Sequence, residues 1–211
     1  MNALLKFIPY EDYEVNLPQA GNWILGSEKD DKIIVYQAFN SAIANYATAN
    51  QRFGGAAYSF SRMTWIKPNF LWMMHRSDWG TKPNQEHTLA IQIKKKGFLE
   101  LLEHGVYSSY QERLYETEEN WKQALSRSPV RIQWDPDHDP WGEKLSRRAI
   151  QIGIKGEQLE RFNEEYICKI VDLSSFVESQ RSLVSQKSSD FLIPVESVVD
   201  VPKILKIKFA I

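Results

Sequence analysis

The sequence predicts an α+β protein with a mixed, largely antiparallel sheet against which helices pack. Short β-rich runs and helical runs follow one another without a regular βαβ alternation, which speaks against a doubly wound parallel fold. Neither GxGxxG nor GxxxxGK[ST] occurs, so the usual nucleotide-fold fingerprints are missing. At 211 residues with 43% hydrophobic and 25% charged side chains, the chain is the size of one domain with enough apolar mass for a core.

Residues 1–31 mix Pro9, Pro18, Gly21 and Gly26 with an acidic run at Glu28 to Asp31 and have no sustained period, so they read as an N-terminal arm with short extended pieces. A single α+β domain is expected over 32–211. Ile33 to Phe39 is β-branched and aromatic, a buried strand. Asn40 can cap the helix that follows, where Ile43, Tyr46 and Ala47 recur at helical spacing until Gly54-Gly55. Pro68-Asn69 opens a second helix, Phe70 to Arg76, apolar almost all round and therefore buried between layers. Leu89, Ile91 and Ile93 mark a strand, and Phe98, Leu101 and Leu102 a short helix.

Thr117 caps a third long helix, which Pro129 closes off. Val130 to Trp134 and Arg148 to Ile154 alternate as strands, and Tyr166 to Val171 is β-rich. Ser174 to Gln186 reads as helix. Phe191 to Val195 and Ile204 to Phe209 read as strands.

Charge narrows the partners. With 26 Lys+Arg against 27 Asp+Glu the net charge is -1, so no overall positive field draws the chain to nucleic acid or membrane, and anion binding must be local. No apolar stretch approaches the ~20 residues of a membrane span, and Met1 to Tyr10 does not resemble a signal peptide; a soluble cytoplasmic protein is expected. Cys168, the single cysteine, excludes an internal disulfide. The scattered His75, His87, His104 and His138 have no paired metal spacing, so neither a metal site nor a nucleophilic cysteine is expected.

Three constellations could carry chemistry. In Arg62 to Gly80, the cations Arg62, Lys67 and Arg76 could pair with phosphates while Trp65 or Trp79 stacks on a base; the alternative is that the aromatics are core and the cations reach water. In Ser128 to Asp139, strand alternation puts Arg131 and Gln133 on one face. The Asp135, Asp137, Asp139 spacing lacks the Gly and Glu of a calcium loop and reads as a solvated acidic turn. In Arg147 to Gly153, Gln151 stands between small Ala149 and Gly153, which suits a cleft wall or else a close packing contact.

At these constellations the chain resembles a family catalogued as domain of unknown function, number 4291, whose signature reads approximately RMTWIKPxFLWMMxRSxWGxK, QE, SPVRxQWDPxxD and RxIQIG. The matches are Arg62 to Met74, Arg76-Ser77, Trp79-Gly80, Lys82, Gln85-Glu86, Ser128 to Pro136, Asp139, and Arg148 with Ile150 to Gly153.

A remoter likeness is to the ADP-ribosyltransferase superfamily. Val35 to Phe39 and the helix after it resemble its opening strand and helix, and Ala149 to Gly153 the late strand that carries its catalytic Glu. Gln37 then stands where a His or Arg holds the NAD ribose, and Gln151 where the Glu stands. A Gln exchanges hydrogen bonds with hydroxyls but brings no charge, so a carboxylate would have to come from elsewhere, with Glu86 or Glu196 as candidates.

The resemblance implies an NAD-dependent transferase-like protein with a split sheet, acting on a nucleic-acid or protein acceptor. Gln151, Gln37 and Tyr36 would face the ribose. Arg62, Lys67, Arg76 and Arg131 would hold phosphates, with Gln133 and Arg148 alongside, and Trp65 and Trp79 would flank a ring. The competing expectation is a non-catalytic nucleotide- or RNA-binding module that uses the same cations and tryptophans.

Overall fold

The β-branched run expected at 33–39 is an inner strand of a four-stranded sheet in the computed structural model, which describes residues 4–211. The first half of the chain forms β1 (Phe7–Pro9), α1 (Tyr10–Glu14), β2 (Gly21–Asn22), β3 (Leu25–Gly26), β4 (Glu28–Lys29), β5 (Lys32–Phe39), α2 (Ser41–Asn50), β6 (Thr64–Ile66), α3 (Phe70–Ser77), β7 (His87–Lys94), α4 (Lys95–His104) and β8 (Gly105–Tyr107). The second half forms α5 (Glu118–Arg127), β9 (Val130–His138), β10 (Lys144–Ile154), α6 (Glu157–Arg161), a π-helical turn (Phe162–Tyr166), β11 (Ile167–Asp172), α7 (Ser174–Ser185), β12 (Leu192–Pro194), β13 (Ser197–Val198) and α8 (Lys203–Phe209).

The class is α+β. One large sheet has the order β11-β7-β5-β4; the other has β2-β10-β9-β8, with β6 also paired to β10. All pairings among the described strands are antiparallel except β2 with β10 and β8 with β9.

Local chemistry sets the helix starts. The side chains of Asn40, Asn69 and Thr117 accept from the backbone N–H of Ile43 (3.1 Å), Trp72 (2.6 Å) and Asn120 (3.1 Å), each satisfying a donor that the first helical turn leaves free. Gly97 lets α4 sit against the Tyr166 ring, where an added Cβ would lie 2.4 Å from the ring carbon Cγ.

Two apolar clusters follow from strand alternation. Ile33, Val35, Leu89, Ile91 and Ile93 of one sheet meet Val130, Ile132, Ile150, Ile152 and Ile154 of the other, with Phe98, Leu101 and Leu102 of α4 between them. On the opposite face of β5, Ile34 and Tyr36 pack under Phe70, Leu71, Met73 and Met74 of α3 and Val177 of α7. Each large side chain so buried contributes ~1.5–3 kcal/mol.

The C-terminal strand expected at 204–209 is instead helix α8. Pro202 supplies the fixed φ that starts it, and Leu205 and Phe209, four apart, turn inward while Ile204 and Ile207 stay exposed. Leu205, Ile207 and Phe209, alternating with Lys206 and Lys208, imitated a strand because the helix buries so narrow a stripe.

The segment expected as an N-terminal arm is stitched into the same framework from residue 7 on; its residues 1–3 lie outside the described part. β1 pairs with β12, β2 runs beside β10, and Tyr13, Ile24 and Leu25 are buried. Its anchor is Arg147, the largest side chain with almost no exposure. Arg147 Nε donates to Asp137 Oδ2 at 2.6 Å, Nη2 to Glu14 Oε1 at 2.8 Å, and Nη1 to the Pro18 carbonyl at 3.1 Å. The expected solvated acidic turn is therefore corrected at its centre: Asp137 is fully buried, and burial raises its carboxyl pKa against the pull of Arg147.

Replacing Arg147 by Met leaves Asp137 buried without its cation. Urea unfolding is expected to show a loss of ~3–5 kcal/mol. A loss below ~1 kcal/mol would mean that the arm does not depend on this contact.

Candidate functional site

Backbone pairing carries the site. Where β5 passes the end of β6, Tyr36 N–H donates to the Lys67 carbonyl at 2.7 Å and Lys67 N–H to the Tyr36 carbonyl at 3.2 Å. This rung joins the two large sheets, and a cleft of about 520 Å³ opens beside it. Gln37 and Phe39 come from β5, Thr64 and Trp65 from β6, Lys67 from the loop after it, Met73 and Arg76 from α3, Gln133 from β9 and Gln151 from β10.

Six of the expected site residues thus meet: Gln37, Trp65, Lys67, Arg76, Gln133 and Gln151. Gln133 and Gln151 are register partners across β9 and β10, so their side chains share one face, away from the core side of Ile132 and Ile150. Arg131 and Gly153 form the next pair on that face, but Arg131 is not among the cleft-lining residues, and its Nε is buried without a hydrogen-bond partner. Gly153 is no open path to the backbone. The Met63 sulfur and the Trp65 ring cover it so closely that an added Cβ would lie 2.6 Å from Met63 Sδ.

Four expected residues lie elsewhere. Tyr36 is corrected by strand alternation, which turns it away from Gln37 into the apolar cluster under α3, edge-on to Phe70. Trp79 is a buried residue of the same cluster, and its Nε1 donates to the Pro140 carbonyl at 3.1 Å. Arg148 donates to the Trp134 carbonyl and lines a smaller depression with Tyr107 and Arg113. Arg62 is exposed and lines a neighbouring hollow with Asn40 and Tyr58, which shares Phe39, Met63 and Thr64 with the cleft.

Neither proposed carboxylate reaches the cleft. Glu196 is buried under α3, accepting from Phe70 N–H (2.7 Å), Tyr13 Oη (2.8 Å) and Asn69 Nδ2 (3.1 Å); burial pushes its carboxyl up to about 8 despite these donors. Exposed Glu86 accepts from Asn84 N–H. The acid beside the glutamines is Asp135, which accepts from Gln133 Nε2 and Gln151 Nε2, each at 2.8 Å. The sequence signal for it was the alternation of Arg131, Gln133 and Asp135. Met63, Thr64, Met73 and Gln85 also line the cleft and carried no such signal.

Lys67 dominates the electrostatics. It is 4% exposed, donates to the Trp65 carbonyl at 3.3 Å and has no ion-pair partner among the described residues. Burial, and to a lesser degree the nearby Arg76, lower its pKa to about 7 against the opposing pull of Asp135. Arg76 likewise has no carboxylate within ion-pair distance among the described residues. Two unpaired cations on one cleft fit an anion.

Among the described residues, no group of three or more His, Cys, Asp or Glu is placed to hold a metal ion, and no helix is long and apolar enough to cross a membrane. A family model described as Domain of unknown function (DUF4291) matches residues 23–199, and the chain belongs to that family. No curated protein matches it.

A buried, unpaired Lys67 weakens the fold. Its pKa is lowered on folding, so between about pH 7 and the ordinary lysine range the unfolded chain binds more protons, and stability rises with pH. Lys67→Met is expected to stabilise the protein at pH 7 by on the order of 1 kcal/mol or more and to flatten that slope. Denaturant midpoints between pH 6 and 9 check it; an unchanged slope would mean that Lys67 does not titrate in this window.

Proposed function

We propose that this member of the DUF4291 family binds NAD or a closely related nucleotide in the cleft, as an ADP-ribosyltransferase-like protein that acts on a nucleic-acid or protein acceptor. The observation that carries the reading is the Lys67 ammonium, buried without a counter-ion where it meets Arg76, Trp65 and four glutamines. Burying an unpaired charge is costly unless a ligand completes it. A pyrophosphate supplies the opposite charge for Lys67 and Arg76, a base or nicotinamide ring supplies a face for half-exposed Trp65, and ribose hydroxyls suit the glutamines.

NAD brings a glycosidic bond whose cleavage leaves positive charge on the sugar. A nearby negative charge would favour that step, and Asp135 is the acid next to the glutamines. The junction of the two sheets at one rung agrees with the split sheet that the sequence likeness implies, and Gln37 and Gln151 face one cleft as that likeness requires.

One observation favours the non-catalytic reading: both Asp135 oxygens are engaged by glutamine amides, and no acid lines the cleft among the described residues. The two readings part in an NAD-consumption assay with mixed RNA and protein acceptors. Turnover lost in Asp135→Asn supports transfer; binding without turnover supports the module.

Binding itself is tested by titration calorimetry with NAD, ADP-ribose and ATP. Anion binding needs protonated Lys67, whose pKa of about 7 in the free protein must rise on binding. Affinity should therefore fall as pH rises from 6 to 8.5, with proton uptake visible as a buffer-dependent heat, and Lys67→Met should weaken binding roughly tenfold or more. Absence of heat with all three ligands would sink the nucleotide reading.

A further inference from the structure

We infer that Lys67 is a nucleophile: its side-chain amine condenses with the carbonyl carbon of a small aldehyde or 2-oxo acid, whose anionic group Arg76 holds, and carries it as a Schiff base in the cleft. The inference does not need the nucleotide reading, which uses the same lysine as an ammonium and gives it no covalent step.

Its basis is the setting of the amine. Lysine is among the residues least often buried. Here the rung to Tyr36 fixes the Lys67 backbone, and the side chain is 4% exposed yet lines the cleft. Its Nζ makes one hydrogen bond, to the Trp65 carbonyl at 3.3 Å, and has no ion-pair partner among the described residues. An ammonium in this place has one protein acceptor for its three N–H groups, whereas a neutral amine donates to that carbonyl and keeps its lone pair free.

Burial first, and then Arg76, favour the neutral form against the pull of Asp135, so that the amine loses its proton at about pH 7. A lysine of ordinary pKa is neutral there in roughly one molecule in a few thousand, so Lys67 offers on the order of a thousandfold more free amine. Its lower basicity gives back only part of that gain. Desolvation beside a second cation is the environment in which lysine attacks carbonyl carbon.

The neighbours suit the steps. Arg76 lines the cleft and has no carboxylate within ion-pair distance among the described residues, so it can take a carboxylate or phosphate on the incoming molecule. The lone pair of Nζ attacks the carbonyl carbon, the π pair moves to the oxygen, and a proton passes from nitrogen to that oxygen through water to give a carbinolamine. Gln37 Nε2 donates to the same Trp65 carbonyl at 3.2 Å, so this amide and the amine meet on one oxygen. Gln37 Oε1 is buried without a hydrogen-bond partner, an acceptor of the kind that the carbinolamine O–H fills. The hydroxyl then leaves, protonated, as water while the nitrogen lone pair forms C=N. Amine and carbonyl thus become imine and water, and one further proton makes the imine a cation. The anionic group of the ligand offsets that charge and the charge of Arg76.

The test incubates the full chain with glyoxylate, reduces it with cyanoborohydride and maps the added carboxymethyl groups by peptide mass spectrometry; uncharged propanal is the second probe. Near pH 7, Lys67 is expected to take up glyoxylate faster than any other lysine by on the order of tenfold or more. Its labelling should level off above about pH 8, while labelling of exposed lysines keeps rising. Glyoxylate should react at Lys67 several-fold faster than propanal relative to their rates at exposed lysines, and Arg76→Gln should abolish that preference. The ratio is the readout because loss of Arg76 also makes Lys67 more basic and slows both probes. Labelling of Lys67 no faster than that of the exposed lysines overturns the inference. No preference for glyoxylate in the parent, or a full preference in Arg76→Gln, overturns the role given to Arg76. None of these outcomes touches the nucleotide reading, which stands or falls by calorimetry with NAD, ADP-ribose and ATP.

Discussion

The reciprocal hydrogen bonds between Tyr36 and Lys67 are the constraint on which the site depends. Two sheets that shared a long ladder at this point would close into one continuous surface, with every β5 side chain committed to a core face. A single rung lets them share an edge and then separate. On one side of it the odd residues of β5, Ile33 and Val35, complete the apolar cluster between the sheets; on the other side Gln37 has left that cluster and reached the cleft. The same rung holds the Lys67 backbone against a buried strand, so its side chain cannot follow the usual lysine course to water. The opening and the buried cation have one cause.

Buried ionisable groups show which charges belong to the framework. Arg147 is nearly inaccessible yet has Asp137, both oxygens of Glu14 and a backbone carbonyl around it. Glu196 is as deeply placed and has three donors, which tie α1, the start of α3 and the segment before β13 together. Both are closed sets that need nothing from outside. Lys67 has one backbone carbonyl at 3.3 Å and another cation nearby. Burial is common to all three, so burial alone does not mark function; the incomplete partner set does.

Local chemistry was legible in the sequence where it needs no distant partner. Asn40, Asn69 and Thr117 cap helices at the positions that their residue types and neighbours indicated, and Ile150, Ile152 and Ile154 lie on one face of β10 because alternation is a property of the strand itself. Which side of a strand faces a cleft is set by tertiary contacts, and there the sequence was ambiguous. Tyr36 and Gln37 are adjacent and both carry polar atoms, and only the placement of α3 over the even face of β5 sends Tyr36 inward. Trp79 shares a motif with Trp65 yet faces Phe70, because a left-handed turn at Asp78 and Trp79 reverses the chain after α3. The acidic run hid the largest discrepancy: Asp137 pairs with Arg147 across the β9–β10 hairpin, a contact that follows from the irregular register there.

The glutamines show most plainly what a sequence leaves open. As a residue type, Gln at 37, 133 and 151 allows a ligand that donates, one that accepts, or one that does both. Which way each amide faces is set by groups that only accept: a backbone carbonyl beside Gln37 and a carboxylate between Gln133 and Gln151. Asp135 has this power because β9 places it two residues from Gln133 on the same face, and the β10 register brings Gln151 diagonally within reach. A one-residue slip of that register would turn Gln151 into the core and Ile150 into the cleft, removing the amide and the apolar contact together. The polarity of the site is thus maintained by the packing of the isoleucines behind it, and the core of the second sheet sets which side chains the cleft presents although these isoleucines do not line it.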